Sequence, residues 1–243
     1  MSARETELVE EMGRRGIAVF GLLEASKVLR VERLVARKAL SRLASKGAIK
    51  RIERGKYVIA RFYSEMDVYE LAPRVHEPSY LSLWSGLHHY GYTTQVPAEV
   101  YLVTARARRG LDLQDRRVRY VRVRPRMFFG YRADGRVVVA EPEKLVLDCL
   151  AFPSYSGGYG ELRDAVEKAE LGAGKLVDYA LRAGSPTVCS RLGHLLDDAG
   201  ISFDERRLQR HASRSYVWLD PSAPSESFET VRKWKVYANV VRE

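Results

Sequence analysis

Cysteine is scarce in this chain: Cys149 and Cys189 are the only two in 243 residues, set in the apolar stretches DCLAF and TVCSRL with no CxxC spacing. That excludes a disulfide-stapled scaffold and a cysteine zinc site, and reads both thiols as buried packing residues. Histidine is also sparse, with five in all. His88 and His89 are adjacent, which sends their rings to different faces of a helix, and turn-like sequence separates them from Glu77 and Glu99, so no metal set is expected. No apolar run reaches the roughly 20 residues that span a bilayer. The acidic stretch ETELVEE is unlike a secretory signal. A cytoplasmic location without a membrane partner is the default expectation.

Catalytic signatures are missing as well. No glycine-rich phosphate loop ending in Gly-Lys-Ser/Thr occurs, Gly157-Gly158 has no lysine at the needed place, and there is no Gly-x-Ser-x-Gly elbow. Glu141-Pro142-Glu143-Lys144 invites comparison with metal-dependent nucleases, but the position two residues before the lysine is Pro142, which offers no carboxylate. Asp134 beside Gly135 reads as a turn. The chain is therefore expected to be no enzyme and to need no cofactor or metal. A nucleic-acid-processing enzyme with a convergent site is the remaining catalytic alternative.

What is present is positive charge, concentrated in one place. Residues 27–61 hold twelve Lys or Arg against two Glu, an excess of ten that equals the formal net charge of the whole protein. Val35, Ala39 or Leu40, and Leu43 recur there at helical spacing, with Gly47 as a stop. Ile49, Ile52, Tyr57, Val58 and Ile59 supply two short strands around Glu53-Arg54-Gly55-Lys56. A helix over Val19 to Leu29, burying Leu22, Leu23 and Val28, and an earlier one from Glu5 to Arg14 with Leu8, Val9 and Met12 complete the pattern. Residues 1–61 read as a winged helix-turn-helix.

Placing Leu43 inward puts Ala36, Ala39 and Leu40 beside it and turns Arg37, Lys38 and Ser41 outward, so these three are the expected base contacts in a major groove. Arg33, Arg42 and Lys46 flank them as expected phosphate contacts. Leu34 does not fit the exposed face, which suggests that the helix starts later or that this residue packs against the turn. Lys50, Arg51, Arg54 and Lys56 crowd the hairpin, where Gly55 permits the positive backbone angle of a tight turn and gives a basic wing. A solvated basic helix and hairpin, or a protein-interaction module, is the plainer reading of the same residues.

With 46% hydrophobic and 30% charged residues, the composition is that of a globular protein long enough for a second domain. Residues 62–77 read as a linker and 78–243 as an α+β domain. In it, Ser79 caps a helix carrying Leu83, Trp84, Leu87 and Tyr90. Strands follow at Val100 to Arg106, Arg117 to Arg124, Met127 to Arg132 and Arg136 to Ala140, spacing that favours an antiparallel sheet. Pro142 opens a helix whose Leu145, Val146 and Cys149 face the sheet, with Glu141 or Glu143 near its free N–H groups.

Helices are expected at Gly160 to Lys168, Ala173 to Ala183 and Pro186 to Asp198, then strands at Tyr216 to Leu219 and Trp234 to Val240. From Tyr101 to Ala140 there are eleven arginines, three aspartates and no lysine. Arg117, Arg119, Arg122, Arg124 and Arg126 form a second basic surface, either a solvated face or an extra contact to DNA backbone or an acidic protein.

Taken in sequence, LASKGAIKRIERGKYVI, PSYLSLWSGLHHYG, VTARARR, AEPEKLVLDCL, SRLGHLLDDAG and YVWLDP resemble blocks of the abortive-infection type IV antitoxin family, the AbiEi-like transcriptional regulators. The resemblance implies a repressor that binds double-stranded DNA at its own promoter, encoded beside a nucleotidyltransferase-like toxin that it counteracts. It carries DNA contact onto Arg37, Lys38, Ser41, Arg42, Arg51, Arg54 and Lys56, and associates the antitoxic role with the C-terminal domain. An interaction protein that mainly holds such a toxin is the alternative within the same resemblance. Both a homodimer matched to two-fold DNA symmetry and a monomer with a second contact remain open.

Overall fold

A computed structural model describes residues 2–224 and 226–240. The chain is α+β and divides into two units, one of residues 1–78 with 110–118 and one of residues 79–109 with 119–243. The second is not the continuous 78–243 domain expected, because the hairpin of residues 110–118 belongs to the first.

The N-terminal unit begins with α1 (Ala3–Arg14), whose Glu5 closes a capping box with Ser2. β1 (Val19–Gly21) leads into α2 (Leu22–Leu29) and α3 (Arg33–Ser45), followed by β2 (Ile49–Glu53) and β3 (Lys56–Ile59). The three strands form a sheet in the order β1-β3-β2. Leu8 and Met12 of α1, Ala25 and Leu29 of α2, and Ala39, Leu40 and Leu43 of α3 share one core with Phe20, Ile49 and Ile59.

Three expectations change here. Val19–Gly21 is a strand rather than the start of α2, because it pairs with β3 from Val19↔Val58 to Gly21↔Lys56. The helix that follows buries Ala25 and Leu29, while Leu22 and Val28 are half-buried and Leu23 is exposed. Residues 62–77 are not a linker: α4 (Ala60–Glu65) and α5 (Val68–Val75) occupy most of them, and Val68, Leu71, Ala72 and Val75 are buried at the i, i+3, i+4, i+7 spacing of a packed helix face.

The second unit holds β4 (Ser79–Leu81), α6 (Leu83–His89) and β5 (Glu99–Thr104). Ser79 is a strand residue and the helix cap position falls to Ser82. The hairpin of the first unit comes next: β6 (Leu111–Leu113) pairs with the start of β7 (Arg116–Arg122), and Gln114 and Asp115 both take positive φ in its turn. Gln114 is held there by Tyr63, whose hydroxyl accepts from its backbone N–H at 2.9 Å, and its amide donates to Met66 O at 2.9 Å.

The second unit continues with β8 (Tyr131–Asp134), β9 (Val137–Ala140), α7 (Pro142–Ala151), α8 (Tyr159–Lys168), α9 (Ala173–Ala183), α10 (Pro186–Asp198) and α11 (Glu205–Gln209). Met127 closes a short 3-10 turn rather than opening a strand. Its main sheet runs β7-β5-β4-β9-β8 and is mixed, not purely antiparallel. β4 lies antiparallel to β5 but parallel to β9, through Leu81↔Val139. A parallel pairing needs a long crossover, and the chain between β4 and β9 supplies it.

α7 is the centre of this unit. Every residue from Glu143 to Leu150 is buried, as in a helix surrounded on all sides. A second small sheet, of β10 (Val217–Trp218), β11 (Glu229–Val231) and β12 (Val236–Ala238), has the order β10-β12-β11. Beside it Trp234 is fully buried, its indole N–H donating to Asp197 at 2.6 Å. The ring packs directly on Gly193, where a Cβ would come within 2.3 Å of it. Trp234 is thus a core residue. No helix among the described residues is long and apolar enough to cross a membrane.

Candidate nucleic-acid interface

The face of α3 opposite Ala36, Ala39, Leu40 and Leu43 carries Arg37, Lys38, Ser41 and Ser45, all exposed. α3 starts at Arg33 with Glu32 at its cap position, so Leu34 lies inside the helix, and at 62% exposure it does not pack on the turn. Val35 is exposed too, which removes it from the apolar repeat. α2 ends at Arg30 in the left-handed conformation, and Ser26 fastens the turn by donating to Val31 O at 2.6 Å.

The flanking cations divide. Arg33 is exposed, but Arg42 Nε and Lys46 Nζ both converge on Glu5 of α1, at 2.7 and 2.9 Å. These hydrogen bonds, Lys46 first and then Arg42 and the Ser2 backbone, hold the Glu5 carboxyl well below the usual carboxylate range, at about 2. Arg42 and Lys46 therefore sit beside a negative charge that the sequence did not place near them.

A pH dependence follows. A carboxyl depressed from 4.5 to about 2 contributes stability that is complete above about pH 4.5 and is lost as pH falls towards about 2. Denaturation midpoints between neutral and acid pH should fall through that window in the wild type. In Glu5→Gln they should begin lower and lose the part of the slope that this carboxyl supplies. Parallel curves would show that Glu5 does not couple the helices.

In the hairpin, Gly55 takes φ +80° between the strands, a conformation that favours glycine. Arg54 and Arg51 are exposed, the latter's Nε donating to Glu53 O at 3.2 Å. Lys50 stands 3.8 Å above the Tyr63 ring. Lys56 turns inward: its ammonium donates to Val75 O and lies 3.3 Å from His76 Nδ1, while His76 Nε2 is 3.2 Å from Glu53. Lys56 thus ties the base of the hairpin to the end of α5, and the outward charge at the tip is that of Arg51 and Arg54.

The second basic row is less uniform than its sequence. Arg117 is paired with Asp112 at 3.2 Å within the hairpin of the first unit. Arg119 makes a two-point contact with Glu99, at 2.5 and 2.9 Å. Tyr120 and Val121 are both buried, which breaks the alternation. Arg122 and Arg124 are exposed, and so is Arg126, whose guanidinium lies against Gly184. Three exposed arginines that motif reading did not single out, Arg106, Arg108 and Arg109, follow β5, and Val123 N–H bonds to Thr104 O at 2.9 Å beside them. Their signal was compositional, in the run ARARR.

Sequence reasoning also missed a buried polar cluster. Lys144 and Asp148, one helical turn apart in α7, are both fully buried and ion-paired. Lys144 donates to the Tyr80 hydroxyl at 3.0 Å, and Asp148 accepts from that hydroxyl at 3.1 Å and from Ser82 at 2.9 Å. Burial and then the Asp148 charge push the Tyr80 phenol up. Glu141, at the cap position of α7, and Glu143, in its first turn, stand at the helix start as expected and also share Lys175 at 2.8 and 2.9 Å. Both cysteines are buried and unbridged, their thiols pushed up by burial to about 12 for Cys149 and about 11 for Cys189.

No family model matches the chain, and no curated protein matches it. Among solved structures, it is similar to the crystal structure of the RV2827C protein from Mycobacterium tuberculosis, with a TM-score of 0.60 and 15% identity over 98% of this chain and 92% of that one. At that identity the likeness is one of fold.

Proposed function

We propose that the N-terminal unit is a winged helix-turn-helix that binds double-stranded DNA, and that the protein is a sequence-specific transcriptional repressor acting by occupancy of a promoter, without catalysis. α2 and α3 form the motif, α3 enters the major groove, and the β2–β3 hairpin is the wing. One observation carries the reading: Arg37, Lys38 and Ser41 form an exposed polar stripe on a helix whose other face is fixed in a core, followed directly by a basic hairpin. Arginine meets guanine with two parallel bonds, and serine meets a base edge or a phosphate.

Arg33, Arg51 and Arg54 serve as phosphate contacts, and the exposed arginines of the second unit are a further polyanion surface. Arg42, Lys46 and Lys56 act through the fold, by fixing α3 on α1 and the wing on α5.

Selection of bound duplexes from a random pool supplies the site and the number and spacing of half-sites. On that site Arg37→Ala should cost about 1–3 kcal/mol, and much less on random duplex. Equal losses on both would make Arg37 a backbone contact, and failure to enrich any sequence would remove the proposal.

A further inference from the structure

The polar stripe of α3 is interrupted by an apolar side chain. Leu34 is in the first turn and 62% exposed. At about 100° per residue it lies about 20° from Ser41 around the helix axis, between Arg37 at about −40° and Lys38 at about +60°. Val35, also exposed, lies about 120° from Ser41, on the side where Arg42 and Lys46 turn to Glu5, and so falls outside the stripe.

An exposed leucine is common on protein surfaces and alone needs no account. This one is distinguished by its azimuth. It sits mid-way across the face that the proposed function sends into the groove, in the turn that reaches base edges first. Helix propensity does not require it, since lysine, glutamine or glutamate serve about as well there. It has no donor to offer phosphate.

We infer that Leu34 reads thymine, through van der Waals contact with the C5-methyl group in the major groove. This rests on the proposed DNA reading and adds a specificity-determining residue to it. Thymine is the one unmodified base that presents a methyl there, and an aliphatic side chain recognises that methyl by excluding water from both surfaces. Arg37 and Lys38 lie about one turn further along the same stripe. The thymine is therefore expected within about two base pairs of a guanine bonded by Arg37.

The test uses the full chain, the selected duplex, and copies of it in which each thymine in turn is replaced by deoxyuridine, which lacks only that methyl. Wild type should bind about four-fold more weakly at one or two positions, the effect of one buried methyl. In Leu34→Ala, thymine and deoxyuridine should bind equally at those positions, with the far-UV spectrum unchanged because the side chain is exposed. A wild type indifferent to every replacement, or a thymine preference that persists in Leu34→Ala, overturns the inference and leaves the DNA reading intact. A change in sedimentation of Leu34→Ala with an unaltered thymine preference would also overturn it, in favour of contact with a second copy. Wild-type binding to the parent duplex that does not weaken with salt would remove the DNA reading itself.

Discussion

Replacing Asp148 with alanine should lower the stability of the second unit by about 3–5 kcal/mol, because it leaves the Lys144 ammonium buried without its counter-charge. Lys144 and Asp148 are both fully inaccessible to solvent. The ammonium would keep only the Tyr80 hydroxyl at 3.0 Å, whose own partner, Asp148, is gone. Against the roughly 5–15 kcal/mol that holds a typical domain, this is a large fraction.

The control is the removal of both charges. Lys144→Met with Asp148→Leu should be far more stable than Asp148→Ala alone, since apolar residues of similar volume avoid the cost of burying ions. Urea denaturation checks both: the midpoint should fall in the single variant and largely recover in the double one, with the slope unchanged. A loss under about 1 kcal/mol in Asp148→Ala would mean that water reaches the pair and that the cluster does not order α7. Tyr80→Phe is the graded comparison, with about 1 kcal/mol expected for one hydroxyl.

This cluster shows where sequence reasoning reaches its limit. Lys144 stands in EPEK and invites comparison with a nuclease lysine, yet its partner stands four residues later on the same helix, a spacing visible in the chain. What the chain does not display is that α7 is buried on all sides, because that depends on β4, α9 and α10 closing around it. Local signals did better. The α3 stripe, the Gly55 hairpin, and the bounds Ala173–Ala183 and Pro186–Asp198 follow from periodicity, glycine stops and a proline at the first helical turn.

Val19–Gly21 failed because three residues beside LLEAS carry no period of their own, and only the pairing with β3 makes them a strand. Residues 62–77 failed differently. Val68, Leu71, Ala72 and Val75 carry helical spacing that the linker reading passed over, and Pro73 falls near the end of a short helix that stops at Val75. In the candidate interface, the legible part was which residues point outward. Which of the cations were already engaged was set by Glu5 and His76, each distant in sequence.

That division fixes the second large effect. Arg33, Arg37, Lys38, Arg51 and Arg54 are exposed in the proposed interface, whereas Arg42 and Lys46 are held by Glu5 and Lys56 by the end of α5. Arg37 and Lys38 are assigned to base edges, so three phosphate neutralisations, by Arg33, Arg51 and Arg54, give a slope of about −2.7 in log K against log salt, or a loss of roughly 40-fold between 50 and 200 mM. Had the three engaged cations taken part, the slope would approach about −5.4, and recruitment of Arg106, Arg108, Arg109, Arg122 and Arg124 beside the first three, without the engaged ones, would carry it to about −7. Titration of one duplex at several salt concentrations separates these cases. Arg54→Ala should make the slope shallower by about 0.9, while Arg42→Ala should leave it nearly unchanged. Glu5→Gln is the decisive variant, because it releases Arg42 and Lys46 without adding a charge of its own. If both then reach phosphate, the slope steepens by up to about 1.8. An unaltered slope in Glu5→Gln, beside a shallower one in Arg42→Ala, would show that Arg42 contacts DNA despite its ion pair and that α1 plays no part in setting the charge of the interface.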